Sequence, residues 1–285
     1  MKKLKGKIAV VTGASSGIGR ELAIGLAREG CRLALADIDA AGLRETERLV
    51  KSEGGEAIIR RVDVSSREEM YAFAKNVIET YGEVDMIINN AGLVFTSVIE
   101  DLPYKDFERI MNINFWGVVY GTKAFIGHLK KQKSSHIVNL SSVYGLWALP
   151  TQAAYSSSKF AVRGFTEALM QELKGTGVRV SCVYPGGVKS NIVKNSDSQL
   201  FDINSAAKDA FNKKFNSAAF TTPRRAARVI ISGIKRNRKR ILIGPDALFF
   251  DISQRIFPTL YQIVSPVVVH MMGLGFALKR EKKSI

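Results

Sequence analysis

A tyrosine and a lysine stand four residues apart in AAYSSSKFAVRGF, a stretch of otherwise small and apolar side chains between Ala153 and Phe165. On a helix, residues i and i+4 lie on the same face, so Tyr155 and Lys159 would point into the same space. A nearby cation favours the phenolate and lowers the pKa of a tyrosine. The pair is therefore a candidate for proton transfer. A solvated lysine that follows a core tyrosine is the alternative, and the pair alone does not decide between them.

A glycine-rich turn follows the first apolar run of the chain. The stretch TGASSGIGR, residues 12–20, comes after KIAVVT and opens an amphipathic segment. In that context glycines let the backbone approach a pyrophosphate at the N-terminus of a helix. The turn therefore predicts a dinucleotide site, and its candidate residues are Gly13, Ser15, Ser16, Gly17, Ile18 and Gly19.

An aspartate at the end of the second apolar run predicts which dinucleotide binds. Asp37 follows the turn at close to the offset of roughly 20 residues at which a carboxylate reaches the ribose 2′-hydroxyl of adenosine. A carboxylate there repels a 2′-phosphate, and neither Ser16 nor Ile18 supplies a compensating cation. NAD is therefore favoured as the cofactor, with NADP as the alternative. The structural alternative for Asp37 is a helix N-cap.

Short runs of β-branched and apolar residues alternate with amphipathic segments such as 20–29, 41–53 and 67–81. The runs are KIAVVT, RLALAD, EAIIRR, VDMIIN, HIVNLS, VRVSCV and RILI. Strands this apolar, separated by helices, predict a parallel sheet covered on both faces. We expect an α/β fold, a doubly wound parallel sheet of about seven strands of the Rossmann kind. One catalytic domain would span residues 1–244, with 190–222 as an insertion above the sheet.

In their order and spacing these motifs resemble those of the single-domain short-chain dehydrogenases/reductases. The glycine turn has the T-G-x-x-x-G-x-G spacing of that family, NNAG at residues 89–92 resembles its fourth-strand motif, and NINFWG, with Asn114, resembles its helix signature. Ser142 stands thirteen residues before the tyrosine of Y-x-x-x-K, and YPGGVKS follows. The resemblance covers about residues 5–244, with one small departure at Ser190, where the family more often has threonine.

The resemblance implies a role for each matching residue. Tyr155 would be the general acid/base, and Lys159 would hold the nicotinamide ribose and lower the pKa of Tyr155. Ser142 would hydrogen-bond the substrate oxygen, and Asn114 would anchor a proton-relay water. The implied cofactor contacts are Asp63 and Val64 at the adenine, Asn90, Ala91 and Gly92 toward the ribose and diphosphate, and Pro185, Gly186, Val188 and Ser190 at the nicotinamide end.

The resemblance also implies an oxidoreductase that interconverts an alcohol and its ketone or aldehyde by hydride transfer. The candidate substrate residues are Val94, Tyr144 and Trp147, and around them stand Leu93, Phe95, Val143 and Leu149, joined by Phe201, Phe211 or Phe215. Ligand sites are usually apolar with a few polar anchors. This composition therefore favours a lipophilic small-molecule substrate over a sugar phosphate or a charged acid.

Two other enzyme or binding classes share parts of this pattern. A nucleotide-sensing binding protein on the same fold would keep the glycine turn and usually lose part of the set Ser142, Tyr155 and Lys159, which is whole here. An epimerase or dehydratase carries the same Y-x-x-x-K, but its extended relatives have a larger C-terminal substrate domain and another glycine spacing. We therefore predict an oxidoreductase and keep these two classes as alternatives.

Composition limits the location and the partners of the chain. Two distant cysteines in apolar surroundings suit a reducing compartment, the histidines lack metal-ligand spacing, and the start lacks the apolar run of a signal peptide, so we expect a cytoplasmic protein without a metal. The net charge of +16 is concentrated between Asp209 and Asp246, where no acidic residue occurs. No aromatic residues accompany the basic block 235–240, which disfavours nucleic acid. A homodimer or homotetramer is expected from the resemblance, through helices that begin near Asp106 and Gln152.

The segment 245–285 extends beyond the family resemblance. Its apolar residues recur at intervals of three and four, a pattern that predicts one stripe on a helix, and they are Phe249, Ile252, Ile256, Leu260, Ile263 and Val267. The uncharged stretch 256–278 is long enough to span a membrane, but prolines and polar residues interrupt it. We expect a peripheral anchor on an anionic membrane surface, with the basic block 235–240 supplying attraction. A roof over the substrate pocket and a membrane span are the alternatives.

Overall fold

Strands and helices alternate along the computed structural model, which describes residues 2–189, 221–259 and 262–263. The strands are β1 (Ile8–Thr12), β2 (Arg32–Asp37), β3 (Glu56–Arg61), β4 (Met86–Asn89), β5 (Ser135–Leu140), β6 (Val178–Pro185) and β7 (Arg240–Ile243). The α-helices are α1 (Gly17–Arg28), α2 (Ala40–Ser52), α3 (Arg67–Tyr81), α4 (Tyr104–Met111), α5 (Gly117–Leu129), α6 (Ala153–Glu172), α7 (Pro223–Lys235) and α8 (Pro245–Ile256). A π-helical turn, Asn112–Trp116, joins α4 to α5.

The strands pair in parallel in one seven-stranded sheet with the order β3-β2-β1-β4-β5-β6-β7. The order reverses between β1 and β4, because the chain adds β2 and β3 on one side and the later strands on the other. At such a switch point the loops after the two strands diverge and leave a crevice at the carboxyl edge of the sheet. The predicted doubly wound Rossmann sheet is confirmed, and its topology places the binding crevice beside the glycine turn.

Alternate residues of the central strands enter two separate hydrophobic cores. Ala9 and Val11 pack with residues of α1 and α7 on one face of the sheet, whereas Ile8 and Val10 pack with residues of α3 and α5 on the other. Because both faces are covered, β1 is buried at every position. This double burial explains why the strands read as continuous apolar runs rather than as an alternating pattern.

Parts of the predicted organisation lie outside the described residues. These are Ser190, most of the insertion 190–222 with its phenylalanines, and most of the extension 245–285. From the extension the structure describes α8 and a few residues after it. Within the part of the chain that is described, no helix combines the length and the apolar character that crossing a membrane requires.

Candidate active site

A cavity of about 1080 Å³ opens at the carboxyl ends of β1, β4, β5 and β6. Its walls bring together the predicted dinucleotide and catalytic residues from loops that are distant in sequence. The predicted residues on its walls are Gly13, Ser15, Ser16, Gly17, Ile18, Asp37, Asp63, Val64, Asn90, Ala91, Gly92, Val94, Ser142, Tyr144, Tyr155, Lys159, Pro185, Gly186 and Val188. One continuous space therefore runs from the glycine turn to the tyrosine and lysine pair.

The glycine turn has a backbone conformation that side chains would prevent. Gly13 and Gly17 have φ angles of +66° and +54°, in the left-handed region that glycine tolerates best. A Cβ atom on Gly19 would collide with the carbonyl oxygen of Gly13. Asn90 braces the turn, since its Nδ2 donates to the carbonyl oxygens of Thr12 at 2.9 Å and Gly13 at 3.0 Å. Asn90 thus shapes the predicted phosphate site through the backbone of the turn.

The start of α1 fits the pyrophosphate of a dinucleotide. Ser16 occupies the N-cap position but makes no side-chain hydrogen bond to the helix. The amides of the first helical turn need acceptors, and a bound anion is a common source. The wall around them is built from glycine and small residues, where a phosphate can approach the backbone. The residues present therefore fit the diphosphate that the sequence predicts.

Asp37 lies on the cavity wall and is not the cap of the following helix. Its carboxylate accepts hydrogen bonds from the amides of Ser15 at 2.9 Å and Asp39 at 3.0 Å. The N-cap of α2 is Asp39, which accepts from the amides of Ala41 and Gly42. The structural alternative for Asp37 is therefore wrong, and its negative charge stays at the adenosine end of the cavity, next to the glycine turn.

Arg20 is a cavity residue that the sequence reasoning missed. Its Nε donates to the hydroxyl of Thr46 at 3.1 Å, and its Nη2 donates to the carbonyl oxygen of Ser15. The expectation that the turn supplies no cation holds for Ser16 and Ile18 but not for this arginine. The available signal was its position in the first turn of a helix whose N-terminus forms the site. A cation and the carboxylate of Asp37 thus share the adenosine end.

Tyr155 and Lys159 point into the same buried space from α6, as their spacing predicts. The ammonium group of Lys159 lies 5.7 Å from the ring centroid of Tyr155 and donates a hydrogen bond to the carbonyl oxygen of Leu140 at 3.0 Å. That carbonyl belongs to the last residue of β5. The lysine therefore connects the tyrosine to the end of the strand that leads to Ser142.

Ser142 stands next to Tyr155 at the end of β5. Its hydroxyl accepts from the amide of Tyr144 at 3.2 Å and lies close enough to the phenol of Tyr155 to affect its pKa. Burial raises the pKa of Tyr155 to about 12, although the nearby Ser142 hydroxyl lowers it. Burial also lowers the pKa of Lys159 to about 8. Desolvation therefore dominates the pKa of Tyr155, and the lowering by Lys159 that the sequence predicts is not among the causes of the shift.

Asn114 lies in the π-helical turn and is buried. Its side-chain oxygen accepts from the amide of Leu93 at 2.8 Å, while its Nδ2 donates to the carbonyl oxygen of Leu93 at 2.9 Å and to the hydroxyl of Ser158 at 3.0 Å. The amide group therefore ties the loop after β4 to the helix that carries the tyrosine and lysine. These bonds engage both the oxygen and the nitrogen of the side-chain amide.

The substrate side of the cavity differs from the prediction at two aromatic residues. Val94 and Tyr144 line the cavity, and the ring of Tyr144 packs edge-on against Tyr155 with a centroid distance of 5.7 Å. Trp147 is absent from the wall, because it is buried against Phe250 of α8 with a centroid distance of 4.2 Å. Phe95 is likewise buried in a small core with Ile110 and Ala154. The sequence places both aromatic residues near the site, but it does not show the distant residues against which they pack.

A polar group on the same wall was not predicted. Thr96, Thr151 and Gln152 line the cavity, and Nε2 of Gln152 donates to the hydroxyl of Thr96 at 2.9 Å. Thr151 has a φ of +68°, which is uncommon for a residue that has a side chain. The sequence placed Gln152 only near the start of a helix. These side chains add polar anchors to an otherwise apolar part of the wall.

The loop after β6 forms the far end of the cavity. Pro185, Gly186 and Val188 line it as predicted. The amide of Gly187 donates to the carboxylate of Asp246 at 2.5 Å, and a Cβ atom on Gly186 would collide with the same carboxylate. Asp246, in the first turn of α8, therefore holds this loop. The sequence did not predict this role, because Asp246 is far from Gly187 along the chain. Among the described residues, no cluster of three or more metal-ligating side chains occurs.

Comparison with known proteins identifies the class to which this fold and site belong. Residues 7–200 match the family model described as short chain dehydrogenase. The chain belongs to the short-chain dehydrogenase/reductase family, and it is an oxidoreductase of the NAD(P)-dependent kind.

Individual relatives cover nearly the whole chain. It is 40% identical over 264 residues, 92% of this chain and 95% of the relative, to SadH of Mycobacterium tuberculosis, which is named as an oxidoreductase. It is 31% identical over 260 residues, 90% of this chain and 82% of the relative, to estradiol 17-beta-dehydrogenase 11 of Rattus norvegicus. A short-chain dehydrogenase/reductase from Burkholderia phymatum, solved in complex with NAD, superposes with a TM-score of 0.84 at 29% identity, covering 92% of this chain and 97% of that one.

Proposed function

We propose that this protein interconverts a lipophilic alcohol and its ketone or aldehyde, with NAD as the preferred cofactor and Tyr155 as the general acid/base. The observation that carries the proposal is the buried set Ser142, Tyr155 and Lys159 at one end of the dinucleotide crevice. A bound nicotinamide would accept or supply the hydride, and the chain must then move one proton to or from the substrate oxygen.

Tyr155 is suited to donate that proton in the direction of carbonyl reduction. Its pKa of about 12 keeps the phenol protonated at neutral pH. The Ser142 hydroxyl stands beside the same phenol and can donate a hydrogen bond to the substrate oxygen. The substrate oxygen would then contact both hydroxyls, which polarises the carbonyl and shortens the path of the proton.

Lys159 and Asn114 organise the groups around the tyrosine. The pKa of Lys159 is about 8, so at lower pH its side chain is an ammonium group. This group is suited to donate to the hydroxyls of the nicotinamide ribose. The π-helical turn at Asn114 breaks the regular backbone ladder, and such turns are frequent at functional sites because they free a backbone carbonyl. That carbonyl, rather than the engaged side-chain amide, would hold the relay water.

The wall beside Tyr155 supports a lipophilic substrate. Leu93, Val94, Val143 and Leu149 supply apolar surface, and Thr96 and Gln152 supply polar groups. A mostly apolar pocket with few polar anchors orients an uncharged ligand of low polarity. The name of the rat relative, an estradiol dehydrogenase, is consistent with such a substrate class. A nucleotide-sensing protein would leave the complete Ser142, Tyr155 and Lys159 set unexplained, and an extended epimerase or dehydratase would have a different glycine spacing.

The test is a comparison of Tyr155→Phe with Tyr144→Phe on a panel of lipophilic ketones and alcohols. Tyr155→Phe deletes the proton donor and should lower kcat/KM by about a hundredfold or more while cofactor binding stays close to wild type. Tyr144→Phe removes a neighbouring phenol of the same wall but leaves the proton donor in place, so kcat/KM should fall far less than in Tyr155→Phe. If Tyr155→Phe keeps more than about a tenth of kcat/KM, the assignment of the general acid/base is wrong.

A further inference from the structure

Helix α8 turns its apolar side outward. Leu248 is 52% exposed, Phe249 62%, Ile252 47% and Ile256 62%. Their spacing of three and four residues places them on one side of the helix, and Phe257 continues the same surface. We call this set, Leu248, Phe249, Ile252, Ile256 and Phe257, the outward face of α8. Contiguous apolar surface of this kind marks an interaction site more often than isolated exposed side chains do.

The opposite side of α8 carries the carboxylate of Asp251 inward, beside the buried Ala247. Asp251 is buried and forms ion pairs with Arg240 and, at 3.4 Å, with Arg255. Helices on the surface of a globular protein usually have the reverse arrangement, with apolar residues toward the core. The inward charge is therefore satisfied within the chain, while the outward apolar residues have no covering element among the described residues.

Exposed cations lie in the connection that precedes β7, at the edge of the sheet toward which α8 runs. Arg240, the first residue of β7, pairs with Asp251 in the middle of α8. The connection that precedes Arg240 therefore lies at the edge of the sheet where β7 begins, and it carries Arg236, Arg238 and Lys239. Each of these residues is exposed. Lys235, which the sequence reasoning assigned to the same block, is instead paired with Glu29 of α1 at 2.8 Å. The available positive charge thus comes from the connection between α7 and β7.

We propose that the outward face of α8 inserts into the interfacial region of an anionic lipid bilayer. An apolar stripe with exposed cations near one end combines the two features that bind acyl chains and anionic headgroups at a membrane surface. A two-fold pairing of two copies through α8 would instead bring the same cations of both chains toward each other, at an electrostatic cost. Residues 264–278 add an uncharged, largely apolar sequence that is followed by KREKK, which continues the same chemistry along the chain.

The experiment measures co-sedimentation of the full chain with vesicles of phosphatidylcholine, with and without phosphatidylglycerol. Phe249→Ser combined with Ile256→Ser removes apolar surface from the outward face of α8. Ile99→Ser removes an exposed apolar side chain outside α8 and outside the cofactor wall, and it is the control. The α8 variant should bind anionic vesicles at least about tenfold more weakly, and the control should bind like the wild type.

A second pair of variants tests the role of charge. Arg238→Glu with Lys239→Glu should weaken binding to anionic vesicles by about tenfold or more, as should high salt. Arg44→Glu with Lys75→Glu makes the same change in net charge on α2 and α3 and should have little effect. Equal binding of the wild type to neutral and anionic vesicles would overturn the proposal.

Cofactor binding and oligomeric state identify the other outcomes. Each variant should bind NAD like the wild type, because the substitutions lie outside the cofactor wall. If Phe249→Ser with Ile256→Ser changes the mass measured by light scattering but not vesicle binding, the face serves a second copy and the membrane proposal is overturned. Vesicle binding that is unchanged in both α8 and Arg238/Lys239 variants overturns it as well. The proposal does not depend on the substrate, so loss of activity in Tyr155→Phe leaves it untouched.

Discussion

Asp37 and Arg20 place opposite charges at the adenosine end of the cavity. The carboxylate of Asp37 would face a 2′-phosphate, while the guanidinium of Arg20 is engaged with Thr46 and the carbonyl of Ser15. We therefore expect a higher kcat/KM with NAD than with NADP. Asp37→Asn should raise the NADP-to-NAD ratio of kcat/KM by about tenfold, since it removes the repelling charge.

Arg20→Gln is the companion variant for that comparison. If the arginine partly offsets the repulsion, its loss should strengthen the preference for NAD, whereas Asp37→Asn should weaken it. Steady-state kinetics with both cofactors separate the two contributions. A wild-type preference for NADP would show that Arg20, and not Asp37, dominates this end of the site.

The pKa values of Lys159 and Tyr155 predict an asymmetric pH profile for carbonyl reduction. Tyr155, with a pKa of about 12, stays protonated through the neutral range. Lys159, with a pKa of about 8, is charged below that pH and neutral above it. At saturating cofactor, kcat/KM should therefore fall as the pH rises through about 8, well before the tyrosine ionises.

Lys159→Arg tests the origin of that fall. An arginine remains charged over the whole accessible range, so the decrease near pH 8 should disappear or move upward in the variant that still binds cofactor. A decrease at the same pH in Lys159→Arg would assign it to another group. Because only the position of the pH limb is compared, a lower absolute activity of the variant does not affect the conclusion.

Strand β5 carries a buried histidine that makes the fold sensitive to acid. His136 bonds the hydroxyl of Ser181 at 2.8 Å, and burial, with a contribution from Arg179, lowers its pKa from 6.5 to about 3. The unfolded chain binds a proton below pH 6.5 while the folded chain does not until about pH 3. Stability should therefore fall as the pH falls across this interval, by an amount on the order of a few kcal/mol.

His136→Asn keeps a polar partner for Ser181 and removes the titrating group. Urea unfolding at a series of pH values should show a smaller loss of stability between pH 6.5 and 3 than in the wild type, even if the variant is less stable at neutral pH. His128→Asn on α5 is the control for loss of a histidine. An equal acid dependence in the wild type and His136→Asn would contradict the assignment.

The sheet could be predicted from the sequence because burial on both faces leaves a local signal. Continuous apolar runs located the buried strands β1, β2, β4 and β5, and the glycine turn located the start of α1 within a few residues. The end of β6 at Pro185 was missed, since its last residues pair with β7, which comes much later in the chain. The predicted end of a strand was therefore wrong where pairing with a partner strand, rather than the local sequence, determines where the strand ends.

The site was predictable where motif spacing determines position and was not predictable where distant contacts do. Tyr155 and Lys159 share a helix, so their relative placement follows from four residues of sequence. Trp147 was wrongly assigned to the substrate wall because its partner, Phe250, lies on α8. Asp246 was missed for the same reason, since it reaches Gly187 only after β7 and α8 have formed.

At the scale of the whole molecule, the exposed aromatic residues form a second surface apart from α8. Tyr104 on α4, Trp116 in the π-helical turn and Phe160 on α6 are exposed, and α4 and α6 pack against each other. These are the helices that the family resemblance implies for self-association. Aromatic side chains are enriched at the centres of protein interfaces, so this surface supports the prediction of a homodimer or homotetramer.

Phe160→Arg tests self-association through that surface. Introducing a charge at the same position of both copies should weaken the assembly by about tenfold or more, while one chain keeps its fold because Phe160 points away from the core. Light scattering at micromolar concentration should give a multiple of 31.4 kDa for the wild type and a shift toward 31.4 kDa for the variant. Phe249→Arg, an equivalent change at an exposed aromatic residue of α8, should leave the mass unchanged. A wild type that scatters only as a 31.4 kDa species, or an equal effect of both variants, would contradict the prediction.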